Sequence, residues 1–271
     1  ESVPPARLGG IIVMKPLGEK YWICDAHCHM GNYNVFYIPF EGDPDSMIHA
    51  MDRCGVALAV CSHHLAIGPE TLLGNRLVAD AIEKYPHRFR GWLTINPHRP
   101  DEAEEIIRTF GDHPGFVGAK LHPDLLEARA DCDGFRPAWV WCEEHQKPLL
   151  SHTWEESKWN DPAMFVPLTG RYPHVPILIG HSGGTYRGHV QAIALAKQHP
   201  NFYLDLTNSL PYLQRIPRMV KAVGAERVIY GSDMPFLSLP SGIGSVLWAD
   251  IEESEKRLIF GENARRLFHL Q

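Results

Sequence analysis

Apolar residues along this chain gather in eight short runs. They are Ile23–His29, Val56–His63, Arg90–Pro97, Phe116–Pro123, Pro148–Thr153, Pro176–Gly183, Phe202–Thr207 and Val228–Pro235. Their starts are separated by 33, 34, 26, 32, 28, 26 and 26 residues. Short continuous apolar runs are what strands buried on both faces require, and the spacing leaves room for a helix after each. The gaps carry helical patterns. Asp43-Pro44 reads as a cap followed by a first-turn proline, Met47, Ile48 and Met51 recur at helical spacing, and Gly55 ends the pattern. A second helix opens near Asp101 with Ala103, Ile106, Ile107 and Phe110 on one side, and 191–198 and 214–223 read as helices too.

Eight unbroken strand–helix alternations predict an α/β protein, a single (β/α)8 barrel of the TIM type. An open doubly wound sheet is the competing fold, but it favours a glycine-rich first turn, and the first run here ends in His-Cys-His. The length of 271 residues suits one barrel, which typically takes about 250. Residues 1–21 are expected to be a lead-in, a hairpin at most, and residues 22–271 the barrel. Two stretches, 154–175 and 236–248, read as long loops after the fifth and eighth strands, and such loops cover barrel active sites.

Charge and cysteine usage narrow the function classes. The net charge of −6 comes without any lysine or arginine block, so a nucleic-acid partner is not expected. No apolar run approaches the ~18 residues of a membrane-spanning helix. The six cysteines form no Cys-x-x-Cys pair and are expected as reduced thiols in the cytoplasm. The chain begins at Glu1 rather than Met, which leaves a removed targeting segment open. The partner expected is a small-molecule substrate, and a homo-oligomer is compatible with the sequence.

The chemistry gathers at the carboxyl ends of the runs. The first ends Asp25-Ala26-His27-Cys28-His29, and strand alternation turns His27 and His29 to one side with Cys28 on the other. The fifth ends in His152, the sixth in His181 and the eighth in Asp233. Barrel active sites form on this face, and His, His and Asp at converging strand ends suggest a divalent metal open to substrate. The other histidines that fall in helical or loop patterns, His189 and His199 among them, are explained by a solvated surface.

At this point the chain resembles the amidohydrolase superfamily, in the amidohydrolase-related branch that includes aminocarboxymuconate-semialdehyde decarboxylase and related metal-dependent hydrolases. The matching pieces are Asp25-Ala26-His27-Cys28-His29, Gly118-Ala119-Lys120-Leu121-His122-Pro123, His152, Gly180-His181-Ser182-Gly183-Gly184, Gly231-Ser232-Asp233-Met234-Pro235, and the segment from Ile259 to Phe268. The resemblance implies one divalent ion held by His27, His29, His152 and Asp233, with zinc favoured over manganese, iron or cobalt and a second ion left open. It implies His181 and Asp233 as the proton-handling catalytic pair, with His181 as a ligand to a second metal the alternative. Lys120 shares parity with His122, and both are expected near the substrate; a bridging carboxylated lysine or a structural ion pair are the alternatives for Lys120. His63 or His64 should face the mouth, with His63 taken as the substrate contact. Trp154 and Trp159 could wall the substrate, and Asp205 is expected to orient a ligand histidine. The first expectation for activity is a hydrolase acting through a metal-activated water on a small acid, ester, lactone or amide. The alternatives are a metal-dependent decarboxylase of an unsaturated or aromatic acid, and a barrel that only binds ligand.

Overall fold

The computed structural model describes residues 17–35, 37–207 and 214–270, together with the backbone of an antiparallel ribbon, Arg7–Leu8 paired with Ile11–Ile12. Eight parallel strands follow: β1 (Ile23–Met30), β2 (Val56–His63), β3 (Phe89–Thr94), β4 (Phe116–Leu121), β5 (Leu149–His152), β6 (Ile177–Gly180), β7 (Phe202–Asp205) and β8 (Val228–Ile229). Each pairs with the next in chain order. Three backbone hydrogen bonds bring β8 back to β1: Ala26 N to Tyr230 O at 3.0 Å, His29 N to Met234 O at 2.8 Å and Asp233 N to His27 O at 2.8 Å. The result is a (β/α)8 barrel, with every strand starting within a residue of its apolar run.

Helices α1 (Pro44–Cys54), α2 (Thr71–Lys84), α3 (Pro100–Phe110), α4 (Arg136–Glu144), α5 (Val166–Arg171), α6 (Tyr186–Gln198), α7 (Arg215–Val223) and α8 (Leu239–Leu247) cover the outside. In α1, Asp43 Oδ1 accepts from Asp45 N at 3.0 Å and Ser46 N at 3.1 Å, Pro44 opens the first turn, and Gly55 closes the helix at φ 73°. Such a cap satisfies amides that the first turn leaves without partners. The stretch expected as a loop over 236–248 holds α8 instead. Its glycines and serines are weak helix formers, but Leu239, Ile243 and Val246 are buried against the barrel, and packing overrides propensity. The other expected loop, 154–175, likewise contains α5.

Two cores result. Cys28, Met30, Cys61, Leu149, Ile177, Ile179 and Phe202 pack outward under the helices. Cys24, Ala26, Leu58, Val60, Trp92, Val117, Leu150, Leu178 and Ile229 fill the interior, closed from below by Leu267 and Phe268. On β1, Cys24 and Ala26 face in while Cys28 and Met30 face out, so parity changes within one strand. The pairing of β1 with β2 is irregular between Asp25 and Cys28, and a bulge of this kind re-aims the side chains beyond it. It turns His27 and His29 inward. All six cysteines are free thiols. No helix among the described residues is long and apolar enough to cross a membrane.

Candidate active site

His27, His29 and Asp233 converge at the carboxyl end of the barrel, each offering a ligand atom within 4.8 Å of the others. Asp233 Oδ1 lies 3.6 Å from His27 Nε2 and 3.2 Å from His29 Nε2. That oxygen is buried and has no hydrogen-bond donor among the described residues. An orphaned carboxylate oxygen facing two imidazole nitrogens is a donor set suited to a divalent cation, and orphaned buried acceptors are otherwise costly. Asp233 adopts φ 65°, and His181 φ 60°. Left-handed backbone at non-glycine residues is strained, and such strain is concentrated at functional sites.

A single carboxylate braces the group. Asp205, at the end of β7, accepts from His27 Nδ1 at 2.9 Å and from the His181 backbone amide at 2.9 Å through the same oxygen. Its other oxygen accepts from Thr207 Oγ1 at 3.0 Å. Nδ1 of His27 therefore carries the proton, and Nε2 points its lone pair at the cation position. His29 Nδ1 meets Ser62 Oγ at 3.2 Å, and its Nε2 likewise faces inward. Below the group, the buried Asp25 accepts from Ser232 N at 2.9 Å and Ser232 Oγ at 2.5 Å. It locks the peptide ahead of Asp233 to the strand bearing His27.

Burial sets the protonation states. It pushes His181 down to about 4 and, helped by the Lys120 charge, holds His29 well below the usual imidazole range. His122 and His152 are lowered in the same way. Burial also opposes ionisation of Asp233, yet the contact with His29 and the nearby His27 and His181 outweigh it and hold its carboxyl well below the ordinary value. At neutral pH His29, His122, His152 and His181 are thus uncharged and Asp233 is a carboxylate, the forms that bind metal.

Lys120 departs from its expected place. Its side chain is buried at the barrel axis, with Nζ 2.6 Å from His27 Nε2 and 3.0 Å from His29 Nε2. It points at the nitrogens a cation would use rather than at the substrate space. Burial lowers its amine to about 8. An ammonium and a divalent ion repel strongly at such range, so Lys120 must be neutral or turned aside when a cation binds.

Above the group lies a cavity of about 230 Å³, lined by His29, Tyr33, His64, Ile67, His122, Leu125, His152, His181, Asp233 and Phe236. His122 lines this cavity. His152 lines it too but stands outside the tight His27–His29–Asp233 group. Its ring stacks on His122 at 4.3 Å, and its Nε2 lies 3.8 Å from Asp124 Oδ2. His63 is not at the wall. Its ring lies over Gly31, where a Cβ would meet it at 2.1 Å, and its Nδ1 accepts from Leu65 N at 3.1 Å. His64, one residue past the strand, takes the expected place. Trp154 stacks outside His152 at 6.2 Å and is 37% exposed, so it backs the wall without forming it. His189, expected on the surface, is buried. A larger groove of about 950 Å³ runs between α1 and α8, but none of the candidate ligands reaches its wall.

The family profile described as "Amidohydrolase" matches residues 24–270. The chain belongs to the amidohydrolase family. Among curated relatives, it is 24% identical to a gamma-resorcylate decarboxylase of Rhodococcus jostii, over 72% of this chain and 75% of that protein. The fold is shared with a 5-carboxyvanillate decarboxylase of Novosphingobium aromaticivorans, solved with manganese and 4-hydroxy-3-methoxy-5-nitrobenzoic acid. That likeness has a TM-score of 0.73 at 17% identity and covers 100% of both chains. It is also shared with a dihydroxybenzoic acid decarboxylase of Polaromonas sp. JS666, solved with manganese and 2-nitroresorcinol. There the TM-score is 0.70 at 18% identity, over 92% of this chain and 97% of that one. The expectation of a hydrolase is corrected by these relatives, which are carboxy-lyases. Zinc finds no support among them, since the ion named in both structures is manganese.

Proposed function

We propose that this chain is a metal-dependent decarboxylase of a small aromatic acid. The observation that carries this reading is the match of the whole barrel to carboxy-lyases, over a cavity with room for one small ring. At about 230 Å³ it falls below the ~300–1,000 Å³ of drug-sized pockets. Its wall pairs imidazoles with Tyr33, Ile67, Leu125 and Phe236, which suits a planar apolar ring bearing polar groups.

His27, His29 and Asp233 would hold the ion, with His152 closing on it from the cavity wall, and manganese is our first choice. When bound, the cation supplies the positive charge that draws in a carboxylate and neighbouring oxygen. The residues of the chain then have one net task, which is to place a proton on the ring carbon that bears the carboxylate. The bond to the carboxyl carbon breaks, its electron pair restores the ring, and carbon dioxide leaves. His181 is neutral, faces the cavity and is held through its backbone by Asp205. We assign it the proton transfer: the imidazole takes a proton from solvent, is steadied as an imidazolium by the Asp233 carboxylate, and delivers that proton to the ring carbon, returning to the neutral form. Free thiols at all six cysteines suit a reducing compartment, and we place the protein in the cytoplasm.

The test is a panel of hydroxy- and methoxybenzoic acids given to manganese-loaded protein, followed by ultraviolet absorbance as acid becomes phenol. Turnover of at least one acid, abolished by chelator and restored by manganese, is expected. No turnover across the panel would remove the reading.

A further inference from the structure

His64 forms the β2 side of the cavity, and its orientation is settled on three sides. Its ring stacks on His29 with centroids 4.8 Å apart and planes at 9°, and on Tyr33 at 5.3 Å and 27°. Its backbone amide donates to Met30 O at 2.9 Å. Its Nδ1 lies 2.7 Å from Gly31 O. A carbonyl can only accept, so Nδ1 carries a proton, and in the neutral ring Nε2 then bears the lone pair. Gly31 can present that carbonyl because it sits at φ 79°, where His63 leaves no room for a side chain. No described residue gives a donor to Nε2. The cavity therefore contains an aimed hydrogen-bond acceptor on a ring that can neither rotate nor swap its tautomer without losing the Gly31 bond.

We propose that His64 is a specificity-determining residue that accepts a hydrogen bond from a ring hydroxyl of the substrate, making hydroxylated aromatic acids the preferred class. The proposal deepens the decarboxylase reading and rests on it for the identity of the substrate as an aromatic acid. An acid without the hydroxyl would leave the nitrogen buried against the ring and unpaired, and sites built to hydrogen-bond a hydroxyl reject analogues that lack it. Donation to Nε2 also leaves the phenol oxygen more electron-rich, which raises the basicity of the ring carbon that must take up a proton.

The test uses binding, so that it does not depend on turnover. Benzoate, the three monohydroxybenzoates and the three monofluorobenzoates are titrated calorimetrically into manganese-loaded protein. Wild type should bind at least one hydroxy isomer about 10-fold or more tighter than its fluoro counterpart, the scale of one unsatisfied buried acceptor. His64→Phe keeps the stacked ring and removes the acceptor. It should bring that ratio to within about twofold. In wild type labelled with 15N-histidine, the His64 Nε2 resonance should be that of an unprotonated nitrogen, and should move with the preferred hydroxybenzoate but not its fluoro analogue. The inference is overturned if wild type shows no hydroxyl preference, binds none of the probes, or keeps its preference in His64→Phe. Hydroxyl preference lost in His64→Phe without any carbon dioxide release would leave the inference standing and remove the decarboxylase reading. Carbon dioxide release with a preference untouched by His64→Phe would do the reverse.

Discussion

Single residues decide whether the cation position is open. Lys120 sits against the two imidazole nitrogens that a divalent ion held by His27 and His29 would use. The lysine is lowered to about 8 by burial, so below that pH it is mainly an ammonium, and each bound ion must displace a proton. The lowered histidines add no such demand near neutrality. Apparent metal affinity should therefore rise about tenfold per pH unit up to about 8 and then level off. Lys120→Met should flatten this slope and tighten binding at pH 6 by roughly 100-fold, read by isothermal titration; an unchanged slope would mean the lysine already lies clear of the ion. His181 is tested by His181→Asn. Metal content by elemental analysis should stay at wild-type level while turnover falls roughly 10²–10⁴-fold, the range for lost proton transfer. Lost metal instead would make it a ligand.

At this scale the sequence was informative where strand alternation held and misleading where it ended. His27 and His29 could be read as a pair because two residues along a strand share a face. Their inward aim could not, since it depends on a bulge before Cys28 that no residue pattern announces. Two adjacent histidines at the end of β2 left open which one faces the mouth; it is His64, the first residue past the strand, where the chain turns and strand alternation no longer applies. Lys120 was read as inward-facing, and it is. Its depth was not legible, because two residues along a strand shift a side chain by about 6.6 Å and only the assembled barrel says which level meets the histidines.

Elements carry the links between those residues. β7 contributes no ligand, yet Asp205 ties the His27 ring on β1 to the strained turn after β6 that carries His181. Asp205→Ala should lower metal affinity roughly 10–100-fold, as losses of ligand-orienting partners do, and should lower turnover further at saturating metal because the His181 turn loses its anchor. Asp205→Asn, which retains an acceptor, should recover part of the second effect. Equal loss in both variants would place the whole effect in the carboxylate charge. The strands themselves were readable from their apolar runs. Helix α8 was not, because its Pro, Gly and Ser content argues for a loop and only burial of Leu239, Ile243 and Val246 makes it a helix.

For the molecule as a whole, the seam between β8 and β1 is where fold and function meet. β8 has only two residues in regular pairing, and Asp25 holds the rest of that edge through Ser232. Burial raises the Asp25 carboxyl to about 6, above its ordinary value of 3.8. The folded state therefore holds a proton that the unfolded state has released between those two pH values. Asp25 contributes most to stability at low pH, and that contribution falls as pH rises through about 6. Against Asp25→Ala, urea unfolding should show wild type ahead at pH 4.5 by more than at pH 7.5. The difference between the two margins should be on the order of 2 kcal/mol, because about 1.5 pH units of that window lie above pH 4.5, at about 1.4 kcal/mol per unit. A margin independent of pH would mean the carboxylate stays ionised and the seam is held by charge.

The central claim is that this barrel exchanges a carboxyl group for a proton at a ring carbon. The direct measurement is to incubate manganese-loaded protein in D2O with hydroxybenzoic acids, 2,6-dihydroxybenzoate included, labelled with 13C at the carboxyl. The account predicts 13CO2 by mass spectrometry, with one deuterium at the carbon that lost the carboxyl group, and loss of both signals in Asp233→Asn. Labelled carboxylic acid recovered intact across the panel, or 13CO2 released equally by Asp233→Asn, would contradict it.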